Sequence, residues 1–263
     1  MIAKTDMKDY YEKMYDDDTD IARLRKLKSL TPFKRIKKEL FIRHKIGTKI
    51  LEAGCGLGEY LDLFEGNLVG TDLSLNALKK ARIFCPKADY FQANSEKIPL
   101  KDESFDCILL PDVIEHVEDD MALFKEAHRI LKKGGRILVT SHFSGGYDTK
   151  ACENVNLWDN VLGEGGDLRI YGLDLVDKLK NMGFKKIELR FLYGPITTFV
   201  NRLKTKILKK RGFERKDILS GEVVEKTKNV KFYVKILFML YKLDYLLFSK
   251  RKGHLFFLAM EKD

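Results

Sequence analysis

Apolar residues in this chain follow two patterns. The run FDCILL at 105–110 has no polar alternation and reads as a strand buried on both faces, with Ile50, Leu51 and Ala53, Leu68 to Thr71, Asp89 to Ala93 and KKGGRILVTSH at 132–142 as further strands. Between them apolar positions recur at helical spacing. Leu75, Leu78, Ala81 and Ile83 follow Ser74 as N-cap and end at Cys85-Pro86, Ala122 to Leu131 forms another helix, and 173–192 reads as a helix, a Gly183 cap and a sixth strand. GHLFFLAMEK at 253–262 is a seventh strand. Strands alternating with helices predict an α/β fold with a doubly wound sheet.

The organising stretch is 48–74, TKILEAGCGLGEYLDLFEGNLVGTDLS. Gly54, Gly56 and Gly58 make a turn that backbone and ligand can approach closely, and a short helix is expected to begin near Gly58. Asp72 then closes the second strand, where a carboxylate can accept both hydroxyls of a ribose. A dinucleotide fingerprint would need glycine where Glu59 stands, and a P-loop would need GK[ST], which does not follow.

Composition changes this picture little. With 263 residues and 44% hydrophobic positions, the chain can bury one large core and carry a lobe besides. The net charge of +10 favours acidic partners or a solvated lysine-rich surface. Cys55, Cys85, Cys107 and Cys152 are far apart and read as reduced buried thiols of a cytoplasmic protein, and the N-terminus lacks the apolar core of a signal peptide.

EAGCGLG, followed by an acid at Asp72, resembles motifs I and II of class I S-adenosylmethionine (SAM) methyltransferases, and the likeness runs continuously over about 48–142. The resemblance implies a seven-stranded mixed sheet in the order 3-2-1-4-5-7-6 with the last strand antiparallel, SAM as cofactor and S-adenosylhomocysteine as product. It implies cofactor contacts from Glu52, Gly54, Gly56 and Gly58, from Asp72 and Leu73, from Asn94 and Ser95 where the family usually writes an acid-alanine pair, and from Leu110. The acceptor should face PDVIEHVEDD at 111–120. If that turn is helical, Asp112, Glu115 and His116 share a face. The pattern is similar to the metal-holding ExxEH of quinone O-methyltransferases, with Asp first. It reads equally as a capping box, or as His116 acting alone in acid-base chemistry. No metal is assigned. His116 is the first candidate for a catalytic base and His142 the second.

The domains expected are an N-terminal helical lid at 1–45, the SAM-binding domain at 46–192 and 253–263, and a helical insertion at 193–252. In the lid, YYEKMY either folds over the cofactor or fastens a terminal helix to the core, and Arg23 to Lys38 predicts an amphipathic surface helix broken near Pro32. The loop at 142–172 leaves on the ligand side and should shape the acceptor pocket. In the insertion a lysine stripe (Lys228, Lys231, Lys235, Lys242) borders an apolar arc of Phe232, Ile236, Met239, Leu240, Leu243 and Leu247. That arc either roofs the acceptor site, forms a homodimer face, or lies with 202–250 on a membrane surface. A small-molecule acceptor, lipid-like or quinone-like, is the expectation. A nucleic-acid methyltransferase is disfavoured because LPDV stands where an NPPY-type tetrad would be, and a non-catalytic nucleoside-binding regulator is the other alternative.

Overall fold

The computed structural model describes residues 4–16, 32–143, 169–200, 203, 230–251 and 253–263. Helices α1 (Lys4–Met14) and α2 (Pro32–His44) precede β1 (Lys49–Ala53), β2 (Asn67–Asp72), α3 (Leu75–Phe84), β3 (Asp89–Gln92), β4 (Phe105–Pro111), α4 (Asp120–Ile130), β5 (Leu131–His142), α5 (Asp174–Asn181), β6 (Phe184–Leu192), α6 (Val230–Phe248) and β7 (Leu255–Lys262). The strands form one sheet in the expected order, β3-β2-β1-β4-β5-β7-β6, parallel except that β7 runs antiparallel to both neighbours.

Alternate strand residues feed two cores, which is why the strands read as unbroken apolar runs. Leu51, Ile108, Leu110, Ile137 and Val139 pack with α4 and α5, whereas Ile50, Cys107, Leu109, Leu138 and Phe257 pack with α2, α3 and α6. Cys55, Cys85 and Cys107 are buried free thiols, and Cys152 lies outside the described residues.

Two local expectations need correction. Helix α3 starts as predicted, Ser74 Oγ accepting the Ala77 N–H at 3.1 Å, but its buried face is Ala77, Leu78, Ala81 and Phe84. Leu75 and Ile83 fall on the opposite side at 3.6 residues per turn and are exposed. Helix α2 starts at Pro32 and is amphipathic as expected: Ile36, Leu40 and Phe41 are buried, with Phe41 against the rings of Tyr60 and Phe257 at 4.6 and 5.5 Å, while Arg35 and Arg43 are exposed. The upstream part of that predicted helix lies outside the described residues. After Gly58 comes one 3-10 turn, Leu61–Leu63, in place of an α-helix, because the chain must already turn back at Gly66 (φ 126°) to enter β2.

The lower end of the sheet is fastened by Asp106, whose carboxylate accepts the N–H groups of Thr48 and Lys49 at 3.0 and 2.9 Å and the Lys132 ammonium at 2.6 Å. Lys132 and these N–H groups outweigh partial burial and hold its carboxyl at about 2. Its stabilising contribution is therefore complete above the unfolded value of about 4 and is lost as pH falls towards about 2. Discounted for solvent screening, Asp106→Asn should cost about 1 kcal/mol at neutral pH and flatten the acid limb of a urea-midpoint profile. An unchanged acid limb would show that the contact is idle.

Candidate active site

The glycine turn sits above the ends of β1 and β2. Gly54, Gly56 and Gly58 all have positive φ (68°, 51° and 69°), and two backbone bonds, Cys55 N–H to Thr71 O at 2.8 Å and Gly58 N–H to Cys55 O at 2.7 Å, lock the loop. Glu52 braces it from within: it is 1% exposed, and its carboxylate accepts the Leu61 N–H at 3.1 Å. Asp72 closes the cradle, one oxygen accepting the Gly56 N–H at 2.8 Å and the other the Ser74 N–H at 2.9 Å. A carboxylate has about four acceptor positions, so these bonds leave acceptor capacity for ribose hydroxyls. Burial pushes the Asp72 carboxyl up and the N–H groups of Ser74, Gly56 and Leu73 pull it partly back. A partly buried carboxylate of this kind costs the fold some stability at neutral pH.

Helix α1 lies across this cradle. Glu12 accepts Ser74 Oγ at 2.7 Å and the N–H groups of Leu75 and Asn76 at 2.9 Å each, and so serves the N-terminus of α3 from another helix. Three residues on, the Tyr15 hydroxyl stands 2.8 Å from where a side chain at Gly56 would begin, so only glycine fits there beneath it. Four residues before Tyr15, Tyr11 meets the His116 ring edge-on, with centroids 6.2 Å apart. YYEKMY therefore both covers the cradle and reaches the turn after β4. Tyr15 also packs on the core, which fastens this segment to it.

That turn is not helical, and it separates the three residues expected on one face. Asp112 takes a left-handed backbone (φ 55°); its carboxylate accepts the Thr140 hydroxyl at 2.8 Å and pairs with Lys37 of α2. Burial would raise its pKa, but Lys37 and Thr140 hold it low. Its side chain is 41% exposed, whereas that of Lys37 is buried. Glu115 points the other way into the protein, accepting Ser141 Oγ at 2.8 Å and lying 3.4 Å from His142 Nδ1. His116 turns to Tyr11. The capping box is absent as well, since α4 is capped by Asp119 through the Ala122 N–H at 2.9 Å. Among the described residues no three His, Cys, Asp or Glu side chains converge as metal ligands.

Other predicted contacts divide. Leu73 stands half-buried beside Asp72, its carbonyl accepting Gln92 Nε2 at 2.6 Å. The Asn94 side-chain oxygen already accepts the Glu96 N–H at 2.9 Å, which leaves its amide donors and a second lone pair, and Ser95 is buried. Leu110 is corrected: it is fully buried in the core with Ile108, because strand alternation turns it to α4 and α5. The arc on α6 roofs nothing among the described residues, since Ile236, Met239, Leu243 and Leu247 are exposed and only Leu240 packs inward. The side chain of Phe232 and most of the loop after His142 lie outside the described residues. Lys37 was missed, although its place on α2 between Ile36 and Phe41 puts it within the buried face.

Residues 51–139 match the family model described as "Methyltransferase domain". Over these residues the chain carries a methyltransferase domain. Such domains use SAM, and the match spans the strands that build the cradle and the Asp112 turn. Phosphoethanolamine N-methyltransferase 3 of Arabidopsis thaliana is 36% identical over 106 residues, which is 37% of this chain and 22% of that protein. The chain thus aligns with about a fifth of that relative's length. Among solved structures, a Haemonchus contortus phosphoethanolamine N-methyltransferase 2 complex with S-adenosylhomocysteine shares the fold (TM-score 0.61, 20% identity, all of this chain and 60% of that one). So does a geranyl diphosphate C-methyltransferase of Streptomyces coelicolor, also holding S-adenosylhomocysteine (TM-score 0.58, 13% identity, 88% and 79%).

Proposed function

We propose that this protein is an enzyme that moves the methyl group of SAM to a small-molecule acceptor. The observation that carries the reading is the closed cradle: three left-handed glycines, a strand-end carboxylate with acceptor capacity left, and Tyr15, just past the end of α1, laid over them. Asp72 would hold the ribose, Leu73 and the Asn94–Ser95 turn would border the adenine, and the glycine backbone would lie along the amino-acid part. When bound, SAM supplies an electrophilic methyl group, so the protein's task is chiefly alignment of acceptor and leaving group. A base is needed only where the acceptor must shed a proton.

His116 is the residue we assign to that proton. Tyr11 on α1 meets His116 and Tyr15, just past the end of that helix, lies over Gly56, so one short segment reaches both His116 and the cradle. Glu115 positions it, its buried carboxylate tying the turn to Ser141 and His142 at the end of β5. His142 serves that anchor. The exposed Asp112 carboxylate, held by Lys37, offers a polar group to a small polar acceptor, and the plant relative's name makes phosphoethanolamine one acceptor to try.

The test is release of S-adenosylhomocysteine from SAM with a panel of amine, phosphoamine, hydroxyaromatic and prenyl acceptors. For an acceptor that loses a proton, His116→Gln should lower kcat about a hundredfold while cofactor affinity holds, and His142→Gln should lower it less than tenfold. The reverse pattern would move the base to His142. Cofactor binding with no turnover on any acceptor, or on RNA or DNA, would favour a nucleoside-binding regulator.

A further inference from the structure

The inner face of α6 packs on the enzyme. Tyr241 and Asp244 are buried, and Phe238, Leu240 and Tyr245 pack on the core shared with α2 and α3. Asp244, which from sequence only interrupts an apolar run, accepts the Ile196 N–H at 2.9 Å and so serves the helical stretch 195–200. The outer face should then be polar. Instead it carries Ile236, Met239, Leu243, Leu246 and Leu247, exposed by 40, 67, 46, 67 and 57%, within an arc of about 100°. Phe199 and Leu203, 67 and 47% exposed, belong to the segment that Asp244 joins to α6.

Charge decides what can cover this face. Lys235 and Lys242 lie along one edge of the arc, Lys250 and Arg251 follow its end, and all four are exposed. The one acid of α6, Asp244, is buried on the opposite side, so the outer face carries no negative charge. A second copy would bring like charges together around the apolar centre, whereas an anionic lipid surface takes both the cations and the side chains between them. No helix among the described residues is long and apolar enough to cross a membrane, so the helix would lie in the plane of the surface. We infer that the outer face of α6 docks the protein on an anionic membrane surface. Tyr193, Thr197 and Tyr241 wall the cavity beneath the helix, so this contact lies one helix away from it.

Co-sedimentation with vesicles tests this without any turnover. The full chain should pellet with phosphatidylcholine–phosphatidylglycerol vesicles and stay in solution with phosphatidylcholine alone. The doubly substituted Met239→Glu/Leu246→Glu protein should bind at least about tenfold more weakly, and Lys235→Glu/Lys242→Glu should weaken binding about tenfold or more and reduce its salt dependence. All four side chains are exposed, and unchanged circular dichroism melts would confirm intact folding. Sedimentation velocity without lipid should give a monomer. No binding to anionic vesicles, binding indifferent to Met239→Glu/Leu246→Glu, or a dimer that these substitutions dissociate would overturn the inference.

Discussion

Gly58→Ala should cost about 3 kcal/mol of folding stability, while Gly134→Ala, at the same φ, should cost about 1. Both glycines are left-handed, at 69° and 70°, so the backbone penalty for a Cβ is common to both. They differ in what the Cβ would meet. At Gly134 nothing lies within 4 Å, whereas at Gly58 the Tyr90 hydroxyl is 2.6 Å away. Tyr90 cannot swing aside cheaply: it is buried, and its hydroxyl donates to the Cys85 carbonyl at 3.0 Å. Urea denaturation of both variants isolates the crowding contribution, and Gly58→Ala should also lose cofactor binding through distortion of the cradle. Equal costs would mean that the turn is looser than its packing indicates.

Asp72→Ala should weaken binding of S-adenosylhomocysteine about a thousandfold, since two hydrogen bonds to a charged group are lost at about 1.5–3 kcal/mol each. It should also destabilise the empty protein, because the Gly56 and Ser74 N–H groups lose their acceptor. Asp72→Asn separates the two effects. Its side-chain oxygen keeps one of those N–H bonds and its neutrality removes the buried charge, so stability should stay near wild type while affinity still falls steeply. The raised carboxyl pKa adds a direction: affinity for wild type should weaken on acidification, and the Asn variant should not share that dependence.

The frame of this protein is legible in its sequence because the strands are buried on both faces, and a run such as Cys107 to Leu110 has no other comfortable place. Ser74 likewise announces α3 by its own chemistry. What escapes a linear reading is direction. The pattern shows that α6 is apolar, yet not that Tyr241 turns in while Met239 turns out, because the helix has two apolar sectors and packing selects one. Asp112, Glu115 and His116 look like one face only if the turn is a helix, and the left-handed backbone at Asp112 sends them to Lys37, Ser141 and Tyr11. Lys37 reads as one more surface cation until its partner is placed beside it from a residue 75 positions away.

The account rests most directly on the cradle as a SAM site, and isothermal titration of the intact chain with SAM and with S-adenosylhomocysteine measures it. One site per chain for each, with affinity about micromolar and no heat from NAD, is the predicted result. Absence of binding at about millimolar ligand, or undiminished binding by Asp72→Ala, would contradict it.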